Sequence, residues 1–308
     1  MSDARTSRRG FLKGSVAAGV LAGGGLPLAA ALADARRAGE GFKISLAEWS
    51  LNKALFAGKI QNLDFPRIAR EEYGIEGVEF VNQFFKDKAR DEAYLKELKT
   101  RANDHGVACV LIMIDGEGDM SAPEKADRDR AVENHKKWID AAAALGCHSI
   151  RINTGEHYSP TDVGAVAEAC SALNAYGVEH KIGVICENHG GPSSDPNALI
   201  ALMKAVNHPN FGTLPDFGNF PKGGDGKYKI DVYEAVERMM PYAKGVSAKS
   251  YDFDERGNET SLDYPRLMKV VAKAGYHGFV GIEFEGHRLT EPEGIRATKK
   301  LLETIREG

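Results

Sequence analysis

Three carboxylates stand where short apolar runs stop: Glu187 in Val184-Ile185-Cys186-Glu187-Asn188-His189, Asp216 in Leu214-Pro215-Asp216-Phe217-Gly218-Asn219, and Glu283 in Val280-Gly281-Ile282-Glu283. Apolar runs of this length, bounded by turn residues, read as buried strands. A carboxylate at the end of a buried strand needs a partner, because an unpaired buried charge is too expensive. Any one of them could cap the next helix or pair with a nearby lysine. Three in successive comparable units point instead to a hard divalent cation or a polar substrate cleft.

The elements that must position these groups alternate along the chain. Strand-like runs fall at 43–47, 77–81, 108–114, 149–153, 183–187, 212–216, 245–249 and 279–283. Between and after them, segments 64–73, 89–105, 123–145, 162–180, 196–206, 231–240, 264–274 and 291–305 carry apolar residues three and four apart, the helical period. Gly74, Gly106, Gly146, Gly183 and Gly275 follow helices as C-terminal stops. Eight βα units with nearly continuous apolar strands predict a parallel sheet closed into an α/β barrel, the (β/α)8 TIM barrel, over residues 41–308. No linker-like stretch divides that part, which predicts one domain.

In such a barrel the strand C-terminal ends open on one face. The residues expected there are Glu48 and Trp49, Glu79, Asp115, Arg151 and Asn153, Glu187 and His189, Asp216 and Asn219, Ser247 and Lys249, and Glu283 and His287. Glu48 and Asp115 could equally be solvated loop residues, Trp49 a lid, and Arg151 a neutraliser of the carboxylates. His189 is a ligand, a substrate contact or a loop hydrogen-bonding group. Ser247 and Lys249 are two apart on a strand and so share a face, with Lys249 nearer the opening. Its ammonium could hold a developing enolate or simply pair with Asp216 or Glu283.

The amino terminus carries a separate signal. Ser7-Arg8-Arg9-Gly10-Phe11-Leu12-Lys13 matches the twin-arginine export motif, followed by an Ala/Gly stretch and the small-residue site Ala31-Leu32-Ala33. Residues 1–33 are read as a twin-arginine signal peptide cleaved after Ala33, and 34–40 as a short linker. The apolar segment is glycine-rich and interrupted by Pro27, a poor permanent membrane span. The expected partner is the twin-arginine export machinery and the expected location periplasmic.

Residues 1–33 hold four of the 40 basic and one of the 44 acidic side chains, so the remaining 275 residues have a formal charge of −7. That suits a full core and argues against a protein that lives on phosphate backbones, so no nucleic-acid partner is expected. Cys109, Cys147, Cys170 and Cys186 lack C-x-x-C spacing and read as small core residues rather than a disulfide frame.

Together the three acidic motifs resemble those of the xylose-isomerase-like TIM barrels, the sugar phosphate isomerase/epimerase superfamily, across residues 41–306. The resemblance implies Mn²⁺ or Mg²⁺, with Zn²⁺ or Co²⁺ as alternatives, held by glutamate on the fifth strand, aspartate on the sixth and glutamate on the eighth. Those positions match Glu187, Asp216 and Glu283. The family's further ligand, a histidine on the seventh strand, is replaced here by Ser247 in Val246-Ser247-Ala248-Lys249-Ser250. A hydroxyl is a weak ligand beside imidazole, so water or His189 completes the shell, the metal binds weakly, or Lys249 supplies positive charge in its place.

The resemblance further implies proton transfer next to a carbonyl, with Glu187 and Glu283 on opposite faces of a bound sugar. Catalysis would rest on Glu187, Glu283 and Lys249, and substrate contacts on Trp49, Glu79, Arg151, His189, Asn219, Ser247 and His287. An exported member is expected to act on an unphosphorylated sugar, keto-sugar or cyclitol as an isomerase or epimerase. A dehydratase or lyase acting on a keto-sugar or glycoside, and a non-catalytic periplasmic sugar-binding protein, remain alternatives. The sequence leaves a homo-oligomer open.

Overall fold

The computed structural model describes residues 41–307. The predicted signal peptide 1–33 and linker 34–40 lie outside the described residues. Eight strands, β1 (Lys43–Ala47), β2 (Gly77–Val81), β3 (Ala108–Met113), β4 (Ser149–Ile152), β5 (Gly183–Glu187), β6 (Phe211–Leu214), β7 (Val246–Ser250) and β8 (Phe279–Phe284), form one parallel sheet. Each is followed by a helix: α1 (Phe65–Tyr73), α2 (Glu92–Asp104), α3 (Lys125–Leu145), α4 (Gly164–His180), α5 (Pro196–Val206), α6 (Val232–Met239), α7 (Tyr264–Lys273) and α8 (Glu291–Glu307). This is the predicted (β/α)8 barrel. No helix among the described residues is long and apolar enough to cross a membrane.

The sheet runs β6-β5-β4-β3-β2-β1-β8-β7. The seam between β6 and β7 closes through backbone bonds just past the end of β6. Ser247 N donates to Pro215 O at 2.9 Å, and Phe217 N donates to Ser247 O at 3.1 Å. That crossing sets Asp216 beside Ser247.

Alternation along the strands sorts the side chains. Val184 and Cys186, Val246 and Ala248, and Val280 and Ile282 pack outward with the helices in the main core. Ala47, Val81, Leu111, Met113, Ile185 and Leu214 form a second apolar layer, inside the barrel. Above it, in the same inward register, come the polar groups. All four cysteines are buried and free.

Helix ends follow local rules. Asp91, Asp195, Asp231 and Asp263 cap α2, α5, α6 and α7 by accepting backbone N–H bonds. Gly74 and Gly146 end α1 and α3 in the left-handed conformation. Gly183 is not a helix stop: Lys181, at φ 60°, takes the left-handed position after α4, and Gly183 opens β5. There a Cβ would lie 3.2 Å from Ser149 Cβ and 3.3 Å from His148 O, a tight fit between neighbouring strands.

Candidate active site

The barrel delivers the three carboxylates to one place. Glu187 ends β5, Asp216 lies two residues past β6, and Glu283 is on β8. One oxygen from each falls within 4.8 Å of the other two. All three are essentially buried.

Asp216 is fixed by its own loop. Its Oδ1 accepts from Gly218 N at 2.8 Å and Asn219 N at 2.7 Å. Asn188 clamps the backbone on both sides, accepting from Asp216 N at 2.7 Å and donating to Asp216 O at 3.0 Å. Oδ2 is left facing the centre, where Ser247 Oγ lies 2.6 Å from it and 2.9 Å from Oε2 of Glu283. A hydroxyl has one proton, so Ser247 serves one carboxylate at a time.

Two cations border the acids. Lys249 Nζ lies 2.8 Å from Glu283 Oε1 and 3.1 Å from Glu285 Oε1. Gly218 makes room for it, since a Cβ there would meet Lys249 Cγ at 2.7 Å. Arg151 Nε lies 2.9 Å from Glu187 Oε2, without hydrogen-bond alignment, and its Nη1 donates to Asp115 Oδ1 at 2.8 Å. Asn153 Nδ2 donates to the same Asp115 oxygen at 2.7 Å. Asn219 Nδ2 donates to Glu187 Oε1 at 3.0 Å.

Burial pushes Glu187 up to about 7, with Glu283 adding to the shift and Arg151 opposing it. Asp216 is pushed up to about 7 by burial, against the pull of Lys249. Burial also acts on Glu283, but the charge and hydrogen bond of Lys249 outweigh it and hold that carboxyl below its usual range. Burial would lower Lys249, yet Glu283, Asp216 and Glu285 keep it firmly charged. Asp115 is likewise buried, and Arg151 and Asn153 hold it ionised.

Other predicted site residues take different places. Glu79 is inside the barrel but one layer lower: its Oε1 accepts from Ser45 Oγ at 2.6 Å, and Gly281, two residues before Glu283, leaves the space for its carboxyl. It forms the floor under the trio rather than an open substrate contact. Glu48, expected at the mouth or in solvent, is buried away from it, accepting from Asn62 Nδ2 at 2.8 Å and Val81 N at 2.9 Å. His189 and His287 are exposed at the rim. Protein packed around the His189 ring, then Arg151, lowers its pKa, although the residue as a whole reaches solvent. Among the described residues, the groups that meet within 4.8 Å are the three carboxylates, without His189. Trp49 is half-buried and lines a pocket of about 330 Å³ with Glu285 and His287.

The sequence reading passed over Asn188, Glu285 and Gly218. Asn188 directly follows Glu187 and Glu285 lies two past Glu283 on the same face, so strand alternation carried a signal for Glu285. The roles of Asn188 and Gly218 depend on contacts with other strands.

The model of the xylose isomerase-like TIM barrel family matches residues 68–307, most of the chain. The chain belongs to that family. Among solved structures, the family fold recurs in a xylose isomerase domain protein from Planctomyces limnophilus (TM-score 0.64, 18% identity, 87% of this chain and 97% of that one). It recurs also in a 3-keto-D-glucoside 4-epimerase from E. coli (TM-score 0.64, 14% identity, 85% and 99%). In sequence, 65 residues are 43% identical to a C-glycoside deglycosidase alpha subunit of Arthrobacter globiformis, covering 20% of this chain. The chain spans only 18% of that relative's length.

The donor set fits the divalent ion common in the family. Three buried carboxylates with oxygen donors only, and Oε2 of Glu187 lacking a hydrogen bond, match Mg²⁺ or Mn²⁺ better than the nitrogen- and sulfur-seeking metals.

Proposed function

We propose that the protein is a sugar isomerase or epimerase, divalent-metal-dependent, that moves a proton on the carbon next to a carbonyl of an unphosphorylated sugar or keto-sugar. The observation that carries this reading is the buried meeting of Glu187, Asp216 and Glu283 within 4.8 Å, bordered by Lys249 and Arg151. Family membership supports a small carbohydrate as the substrate.

Glu187, Asp216 and Glu283 would hold the ion, which when bound polarises the substrate's carbonyl and adjacent hydroxyl. Glu187 and Glu283 come from strands on different sides of the cavity and take and return the proton. Lys249, fixed between Glu283 and Glu285, faces the oxygen on which negative charge develops. Arg151 keeps Glu187 and Asp115 in place. Asn219 orients the Glu187 carboxylate through Oε1. The apolar layer below the acids keeps water from the floor of the site.

A second reading uses the same carbanion to expel a group from a keto-glycoside. It is favoured by the local identity to the C-glycoside deglycosidase alpha subunit. In either case we place the protein outside the cytoplasm, on the strength of the twin-arginine motif at Arg8-Arg9.

The test is incubation of Mn²⁺-loaded protein with ketoses and 3-keto-glucosides in D₂O, followed by proton NMR. Deuterium entering next to the carbonyl, with or without release of the aglycone, is the expected result. Tight sugar binding with no exchange in any substrate would leave a binding protein. Amino-terminal sequencing of the periplasmic fraction checks export: a start near Asp34 is expected, and an intact Met1 found only in the cytosol would refute it.

A further inference from the structure

The mouth of the barrel is divided by chemistry. Acids and cations come from the ends of β3 to β8, whereas the side formed by the loops after β1 and β2 is aromatic. Trp49 follows β1, Phe56 ends a short helix (Asn52–Phe56) in the same loop, and Phe84 follows β2. Their ring centroids lie 6.0 Å apart for Trp49 and Phe56, 6.1 Å for Trp49 and Phe84, and 5.1 Å for Phe56 and Phe84. These are mutual edge and tilted contacts, and within them Trp49 and Phe84 stay half-buried rather than enclosed.

The cluster is continuous with the site. Trp49 and Phe84 pack on the apolar layer inside the barrel, and Trp49 shares a pocket with Glu285, whose carboxylate holds Lys249. At its outer end Phe56 is 61% exposed, one of two large apolar side chains so exposed among the described residues. Leaving that ring in water has a cost unless something covers it. The loop is held firmly all the same: Glu291 accepts from Lys53 N at 2.7 Å and Ala54 N at 3.2 Å, tying the short helix to the start of α8.

We propose that Trp49, Phe84 and Phe56 form a subsite for a flat apolar aglycone, so that the substrate is a glycoside rather than a free sugar. The sugar ring lies over Glu187, Asp216 and Glu283, and the aglycone leaves the cavity across the aromatic shelf. A free ketose would cover the acids and leave the shelf wet. The inference rests on the sugar-binding reading above, and it adds to that reading the chemical class of what is attached to the sugar.

The test compares binding of phenyl and methyl 3-keto-β-D-glucosides to the Mn²⁺-loaded full chain by titration calorimetry. Phenyl should bind about tenfold or more tighter, the scale of one good aromatic contact plus its burial. Phe56→Ser, at an exposed position, should reduce that ratio about threefold, and Phe56→Ser with Phe84→Leu should bring it close to unity. Thermal melts check that both variants stay folded. Equal affinity of the wild type for the two glycosides, or a ratio unchanged in the double variant, overturns the subsite. So does a fall in sedimenting mass on Phe56→Ser without any phenyl preference, which would make the shelf a contact between protein chains. A phenyl preference without deuterium exchange would keep the subsite and reject the reaction. Exchange with no phenyl preference would do the reverse.

Discussion

Lys249 and Glu283 form an ion pair of 2.8 Å at positions where both side chains are almost fully buried. Two residues earlier on the same face of β7 stands Ser247, where the family resemblance implies an imidazole. The seventh strand thus offers the acids a fixed ammonium and a hydroxyl in place of a nitrogen ligand. An ion held by the acids would meet less negative charge and lack a nitrogen donor from this strand, so the arrangement predicts weak metal binding.

Restoring the donor should reverse that. Ser247→His places a nitrogen between Asp216 and Glu283, and the Mn²⁺ dissociation constant should fall by about tenfold or more. Calorimetry showing unchanged affinity would remove β7 from the ion site.

Lys249→Met should lower turnover by about a hundredfold, the scale of one lost electrostatic contact to developing charge. From sequence alone, such a change would leave thermal stability near wild type. The structure argues otherwise, because removing one partner of a buried pair strands the other and costs about 3 kcal/mol or more. The metal-free variant should therefore melt well below metal-free wild type, with Mn²⁺ closing part of the gap. Wild-type turnover in this variant would show that Lys249 only balances charge.

Much of this was legible from sequence for definite physical reasons. Glu187 and Glu283 each stand where a short, nearly continuous apolar run stops, so their place in the run put them at the mouth. Ser247 and Lys249 followed from spacing by two. Glu48 and Glu79 were harder, because a carboxylate near a strand end looks the same whether it faces the cavity or finds partners elsewhere. Only the positions of Asn62, Val81 N, Ser45 and Gly281 decide that, and each lies on another segment. The aromatic shelf was half visible. Trp49 stood out next to a strand, but its meeting with Phe56 and Phe84 depends on how two loops fold back.

Chelation tests the ion directly. Three carboxylates brought together repel one another, and an ion at a hundred times its dissociation constant adds about 2.7 kcal/mol to stability. EDTA should lower the melting temperature by about 5 °C or more, and Mn²⁺ or Mg²⁺ should restore it. A melting temperature indifferent to both would leave Lys249 and Arg151 as the only positive charges the acids use.

Glu79 gives the structure a pH signature that can be separated from catalysis. Burial lifts its carboxyl from 4.5 to about 8, with Ser45 opposing and the nearby Glu283 and Glu187 reinforcing the shift. A raised native pKa means that between those two values the folded chain keeps a proton that the unfolded chain releases. The stabilisation is therefore complete below the unfolded value and is lost as pH rises toward about 8, by up to about 1.4 kcal/mol per pH unit. Glu79→Gln keeps the shape and removes the titration, and Gly281 leaves the amide the same space. Its unfolding free energy, measured in urea with chelator from about pH 5 to about pH 8, should decline less steeply than wild type by up to that slope. The absolute stability of the variant is secondary, since an amide nitrogen facing the partnerless side of Glu79 carries a cost independent of pH. Parallel curves for the two proteins would mean that Glu79 is ionised in the folded barrel, with the charge of Arg151 reaching far enough down to hold it so.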